Sequence, residues 1–223
     1  MSEFEFFPIR LSLEVATAAM LLAAPVGTVL AWLQARRRYK LRPLVDALIM
    51  LPLVLPPSVV GFALVVAFGR HGALGSWLEA LFDVSLVFTP AAAVLASCVV
   101  ALPIVVKTAQ PALESVPREL EQIGRSLGLS EVAVFFRITL PSAWRGILAA
   151  TVLGYARAMG EFGATLMFAG NIPGRTNTVP LEIFASYQAG NDPRALFYVT
   201  VMTVFSCVVV FLAARLAPAG EPR

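Results

Sequence analysis

The chain has 223 residues, of which 58% are hydrophobic and 14% charged, with a formal net charge of +3 and a mean hydropathy of +0.80. These fractions lie far from those of an ordinary soluble domain and describe an integral membrane protein. The basic residues are spread over loops with no aromatic-interleaved patch, so nucleic acid is not an expected partner.

A bilayer core takes about 20 consecutive apolar residues per helix. Runs of that kind predict a single all-α transmembrane bundle over residues 1–223, with five spans near 12–34, 45–68, 85–107, 144–169 and 195–215. The opening segment MSEFEFFPIR is acidic and aromatic, and the apolar run after it is too long for a signal-peptide core, so it reads as retained.

Lys and Arg concentrate in cytoplasmic loops, and here their distribution is lopsided. Arg36, Arg37, Arg38, Lys40 and Arg42 follow the first span; Lys107, Arg118, Arg125, Arg137 and Arg145 follow the third; Arg215 and Arg223 follow the fifth. The opposite side holds Arg10, Arg70, Arg175 and Arg194, which puts the N-terminus outside and the C-terminus inside. Arg157, within the fourth span, is the remaining basic residue.

The second span carries LPLVLPPSVVG, in which Pro52, Pro56 and Pro57 each remove a backbone donor. It is expected to kink or break, either for packing or to line a pathway. In spans one and three, Pro25, Pro90 and Pro103 suggest a non-ideal, mobile bundle. The sole histidine, His71, falls in the short outer loop GRHGALG, where it has no partners for catalysis. Cys98 and Cys207 fall within spans and read as core filler. No cofactor or metal set can be read.

Residues 107–146 form a cytoplasmic loop longer than a simple connection needs. Pro117 suits a first helical position, Glu119 and Glu121 the positive end of a helix, and Arg125 its last turn. Leu120, Ile123 and Leu127 share one apolar face. Gly128 suits a left-handed stop, Ser130 a cap for a second short helix, and Pro141 its end. Such a pair presents its tight turn to a docking partner, or rests on lipid headgroups.

From EQIGRSLG through FFRITLP this loop resembles the cytoplasmic loop of ABC-importer membrane subunits, in which a Glu-Ala-Ala segment precedes a glycine and an Ile-x-Leu-Pro ending. The resemblance implies a type I importer fold and a coupling loop over 109–142 that docks on an ATP-binding subunit through Glu121, Gln122, Gly128, Leu129, Ser130, Leu140 and Pro141. The register departs at one point: Gln122, Ile123 and Gly124 stand where the family has Glu-Ala-Ala, with Glu121 one position early. The two lysines, Lys40 and Lys107, lie in no glycine-rich phosphate loop, so the chain is not expected to hydrolyse ATP itself.

In the fourth span, ARAMGEFGATLMFAG places Arg157 and Glu161 four residues apart, where they can pair within the chain or across to another helix. A lone mid-bilayer charge costs about 2.5–3.5 kcal/mol on insertion scales. Gly154, Ala158, Gly160, Gly163 and Ala164 supply small surfaces for close helix packing, and the expected role is a hinge or packing element beside the pathway. The following loop, NIPGRTNT, offers Arg175, Thr176, Asn177 and Thr178 as donors to an anion or an acidic partner.

Residues 156–180 together with LPLVLPPSVVG resemble the permeases of molybdate ABC transporters, and sulfate permeases share a looser form of the segment. That resemblance implies a homodimer in a prokaryotic inner membrane, two cytoplasmic ATPase subunits, and a periplasmic or surface-tethered protein that binds molybdate or tungstate. Two further classes compete with this one: a proton-coupled secondary carrier using Glu161, and a membrane scaffold without a transport role. A carrier has no need of the docking loop, and a scaffold has no need of a broken span and a charge pair.

Overall fold

The computed structural model describes residues 3–37, 39–83 and 85–216. Arg38 and Arg223, counted above toward orientation, lie outside them. Among the described residues every regular element is helical. They are α1 (Glu3–Arg36), α2 (Arg42–Val54), α3 (Pro57–Phe68), α4 (Ala73–Phe82), α5 (Pro90–Glu114), α6 (Arg118–Ser126), α7 (Glu131–Val134), α8 (Leu140–Met159), α9 (Gly163–Phe168), α10 (Val179–Gln188) and α11 (Asp192–Leu216). A π-helical segment, Phe135–Thr139, joins α7 to α8.

Four stretches are long and apolar enough to cross a membrane: Phe6–Arg36, Pro90–Glu114, Glu131–Met159 and Asp192–Arg215. The expected second span is instead a pair, α2 and α3, bent by 110°. Pro56 takes the extended conformation (φ −53°, ψ 135°) and Pro57 opens α3, where its missing N–H leaves no helical bond unmade. The break is therefore complete rather than a kink, while Pro52 stays inside α2.

The broken pair still runs from one end of the bundle to the other. Asp46 of α2 pairs with Lys107 near the C-terminal end of α5, and Arg42 lies 3.8 Å from Glu114. Beyond the break, Gly61 abuts Ala164, and Phe68 meets Phe168 with ring centroids 6.1 Å apart. The first contacts lie at the end that carries α6 and the second at the opposite end, so the pair taken together is a candidate fifth span.

The core is made by α1, α5 and α8, and its contacts are largely small residues. Ala16, Ala19, Ala23 and Ala31 of α1 face Ala101, Val105 and Ala109 of α5, all fully buried. Bilayer tails are as apolar as leucine, so association there depends on close approach of backbones. Helices α1 and α5 run unbroken through Pro25 and Pro103, while Pro90 sits in the first turn of α5 behind the Thr89 cap. The prolines of spans one and three therefore do not interrupt their helices, whereas the second span breaks at Leu55–Pro56 and the helix of span four stops at Met159.

Candidate functional site

Helix α6 is short, and its two faces are unlike. Glu121 and Gly124 are buried inward, whereas Leu120, Ile123 and Leu127 point out with exposures of 44%, 57% and 78%. The apolar face predicted by spacing exists, and it is turned away from the protein. Gly124 allows the close inward approach, since a Cβ there would fall 2.5 Å from Ile138 Cδ1. Gln122 is exposed beside the apolar face.

The turn that follows is built as its residues suggest. Gly128 adopts φ +84°, a left-handed conformation that costs other residues about 1–2 kcal/mol. Its amide donates to Arg125 O at 2.9 Å and that of Leu129 to Gly124 O at 3.1 Å, closing the helix end. Ser130 Oγ then accepts from Ala133 N at 3.3 Å and caps α7. Arg125 grips Glu131 across the turn at 2.7 and 3.3 Å, and this bonded carboxylate raises the Arg125 guanidinium above its ordinary value. The turn is braced on both sides.

The second helix does not end at Pro141, contrary to expectation. It passes through the π segment and continues as α8, with Leu140 and Pro141 in the first turn of the span. A π-turn widens the backbone just where the proline ring would crowd the preceding carbonyls, and Ser142 Oγ donates to Ile138 O at 2.7 Å. The turn at Gly128 is therefore joined to span four by continuous helix rather than by a hinge. Leu140 is half-buried and Pro141 exposed.

Glu121 departs most from expectation, because it faces the protein rather than a partner. It is 3% exposed; its Oε1 accepts from Thr139 Oγ1 at 2.7 Å and lies 3.0 Å from Arg36 Nε. Arg36 in turn donates through Nη2 to Val116 O at 2.7 Å. Neither Arg36 nor Thr139 was singled out by sequence; a basic residue closing a span is common, and only the fold brings it to Glu121.

At the other end of α8, the charges expected in mid-helix sit at a helix end. The helix stops at Met159, with Gly160 (φ −87°, ψ 11°) as its terminal residue. Arg157 lies in the last turn and Glu161 in the break, 2.7 Å apart between Nη2 and Oε2. Glu161 Oε1 also accepts from Ala164 N at 2.8 Å, tying it to α9. The pair forms within one chain, and the Glu161 side chain is 1% exposed against 26% for Arg157. Of the glycines expected to pack closely, Gly154 does, against Val105 and Met20, and Gly163 does, against Pro57; Gly160 meets nothing beyond its own helix.

The outer loop spends most of its expected donors internally. Thr176 Oγ1 bonds Gly170 O and Ile172 N, and Asn177 bonds Gly174 N and Glu182. Thr176, Asn177 and Thr178 are all buried, leaving Arg175 exposed. Beside this loop lies a cleft of about 410 Å³ lined by Phe7, Asn177, Glu182, Ser186 and Arg194, in which Arg194 pairs with Glu182 at 2.9 Å. Among the described residues no group of His, Cys, Asp and Glu is arranged to hold a metal ion.

The chain is similar to the molybdenum transport system permease protein ModB of Haemophilus influenzae, 46% identical over 184 residues that cover 82% of this chain and 80% of that protein. It is 39% identical to ModB of Escherichia coli (strain K12) over 98% of this chain and 96% of that protein. The putative molybdenum transport system permease protein YvgM of Bacillus subtilis is 40% identical, covering 94% and 92%. In fold it resembles a bacterial ABC transporter involved in alginate import (TM-score 0.74, 15% identity, 97% and 81% covered) and the MetNI methionine ABC transporter (0.67, 16%, 97% of each chain). The profile of one family matches residues 23–222, and the chain belongs to that family, the binding-protein-dependent transport system inner membrane components.

Proposed function

We propose that this chain is the membrane-spanning permease of an ATP-driven importer that carries molybdate, or the isosteric tungstate, into the cytoplasm. It works as a pair of identical copies in a prokaryotic inner membrane, with cytoplasmic ATPase subunits and a periplasmic or surface-tethered binding protein that delivers the anion. The observation that carries the reading is the outward apolar face of α6, Leu120, Ile123 and Leu127, beside the braced turn at Gly128. An exposed apolar cluster on a surface rimmed by charge marks a contact site for another protein. Relatives with molybdenum transport names, matched along most of their length, supply the cargo.

In this reading the ATPases supply the energy. Their closure draws the two docking turns together, and the continuous helix from α7 into α8 carries that displacement toward the break at Gly160–Phe162. The bundle then opens outward to the loaded binding protein, and hydrolysis resets it. The structure gives no support to Glu161 as an anion ligand, since its Oε1 accepts from Ala164 N and its Oε2 faces Arg157 Nη2 at 2.7 Å.

The test is uptake in proteoliposomes containing the permease, its ATPase and the loaded binding protein. Molybdate should enter only with ATP, should continue when a protonophore collapses the proton gradient, and should be reduced by tungstate more than by sulfate. Uptake that stops with the gradient, or ATP hydrolysis by the purified permease alone, overturns the reading.

A further inference from the structure

Three parts of the chain far apart in sequence meet at one buried carboxylate. Arg36 ends α1, Glu121 lies on the inner face of α6, and Thr139 closes the π segment. Glu121 Oε1 takes the Thr139 hydroxyl at 2.7 Å and sits 3.0 Å from Arg36 Nε, while Arg36 Nη2 holds the Val116 carbonyl at 2.7 Å. The side chains of Arg36 and Glu121 are 9% and 4% exposed. Beside them Trp32 of α1 packs against Phe135 of the π segment, with ring centroids 5.1 Å apart and the planes tilted by 56°.

The placement matters because the other ties of the docking helix, Arg125 to Glu131 and Gly124 against Ile138, run only to α7 and the π segment. Between α5 and α6 lies a short non-helical link at Ser115–Pro117, and α6 turns its apolar face outward rather than into the bundle. Without a fixed tie, a displacement applied to α6 would be absorbed by rotation about that link. Arg36 removes this freedom twice, through Glu121 on α6 and through the carbonyl of the link itself. Buried charges are costly unless paired and hydrogen-bonded, so the tie has few alternative geometries and acts as a stiff joint.

We propose that Arg36, Glu121 and Thr139 form an internal clamp that locks the docking helix to the inner ends of spans one and four, so that ATPase closure moves both spans instead of bending the link. Arg36 and Glu121 are positioning residues, and this inference rests on the importer reading. Glu121 is thereby assigned an intramolecular role, leaving Gln122 and the apolar face as the surface that meets the ATPase.

The experiment uses the assembled permease, ATPase and loaded binding protein in proteoliposomes, and reads molybdate imported per ATP hydrolysed. Arg36→Met and Glu121→Gln should each lower that ratio at least tenfold while the ATPase still co-purifies, and Arg36→Lys should recover part of it. A ratio equal to that of the unaltered importer in both variants overturns the clamp. Should the unaltered complex itself show no ATP-driven uptake, the importer reading fails, which is a separate result. A second measurement covers variants that assemble poorly: spin labels at Val29→Cys and Leu127→Cys, with Cys98 and Cys207 replaced by Ala, give the α1–α6 distance. The distribution should be narrow with Glu121 and at least twice as broad in Glu121→Gln; equal widths overturn the proposal.

Discussion

Gly163 packs its backbone directly on the Pro57 ring: a Cβ added to the glycine would lie 2.8 Å from Pro57 Cβ and 3.4 Å from the Ser58 amide nitrogen. The break in the second crossing and the break after α8 are thus stacked on one another. The contact covers one side of each break, while Pro56, Pro57 and Ser58 keep exposed faces. Gly61 continues the seam, its Cβ position 2.8 Å from Ala164 Cα.

This seam predicts a contrast between two neighbouring glycines. Gly163→Ala pushes a methyl into a ring held by a rigid backbone, and overpacking of that kind costs about 1–3 kcal/mol. Gly160→Ala meets only Ala156 O at 3.6 Å, an ordinary contact. Thermal unfolding of the detergent-solubilised protein should show a lowered midpoint for Gly163→Ala and little change for Gly160→Ala. Equal effects would mean that the two breaks are not packed as described.

The ion pair at the end of α8 is tested by a double-mutant cycle. Glu161→Gln keeps an oxygen for Ala164 N but leaves the Arg157 guanidinium without its counter-charge. Breaking a buried pair from one side costs about 3–5 kcal/mol, and the 26% exposure of Arg157 lets water offset part of that loss. Arg157→Met combined with Glu161→Gln should therefore be more stable than Glu161→Gln alone. The same substitution should leave the affinity of the binding protein for its anion unchanged; additive stability losses would show that the two side chains act separately.

Much of this arrangement was legible before the fold was known, and its failures have physical causes. The four unbroken spans follow from apolar run length, and the tight turn after α6 from the left-handed preference of Gly128 and the capping of Ser130, all of which are local. The break at Pro56 was legible from the three prolines as a kink or a break, whereas the ending of α8 at Met159 was not, because Glu161 takes its partner from the α9 amide. Pro141 misled because a π-turn, invisible to spacing, absorbs the clash that would otherwise end the helix. The apolar face of α6 was read correctly as a face, yet which way it points is set by Glu121, whose partner Arg36 lies far away in sequence. The donors of the outer loop looked available for the same reason: Asn177 is satisfied by Glu182 of the next helix.

The turn at Gly128 separates backbone conformation from bulk. Nothing lies within 4 Å of a Cβ added there, so a side chain meets no obstacle and only the φ of +84° is strained. Gly128→Val should cost about 1–2 kcal/mol locally and more for its β-branching, whereas Gly128→Asn tolerates the left-handed region. Co-purification of the ATPase should fall in the valine variant and persist in the asparagine variant, with membrane insertion the same in both. Loss in both would assign the effect to occupied space at the docking surface instead of to turn geometry.

The outward face of α6 yields the last prediction, because it separates docking from folding. Leu127 is 78% exposed and Ile123 57%, so neither contributes appreciable burial to the permease itself. Replacing either by Asp removes apolar surface that the permease does not use and adds a charge beside Glu119 and Glu131. The unfolding midpoint of the isolated permease should stay where it was, while co-purification of the ATPase drops by tenfold or more, since a charge buried at an interface without a partner is strongly unfavourable. A lowered midpoint with the ATPase retained would place these leucine and isoleucine side chains in the permease's own packing. In that case the apolar face would be an internal surface, and the docking site would have to lie on the charged flank of Gln122.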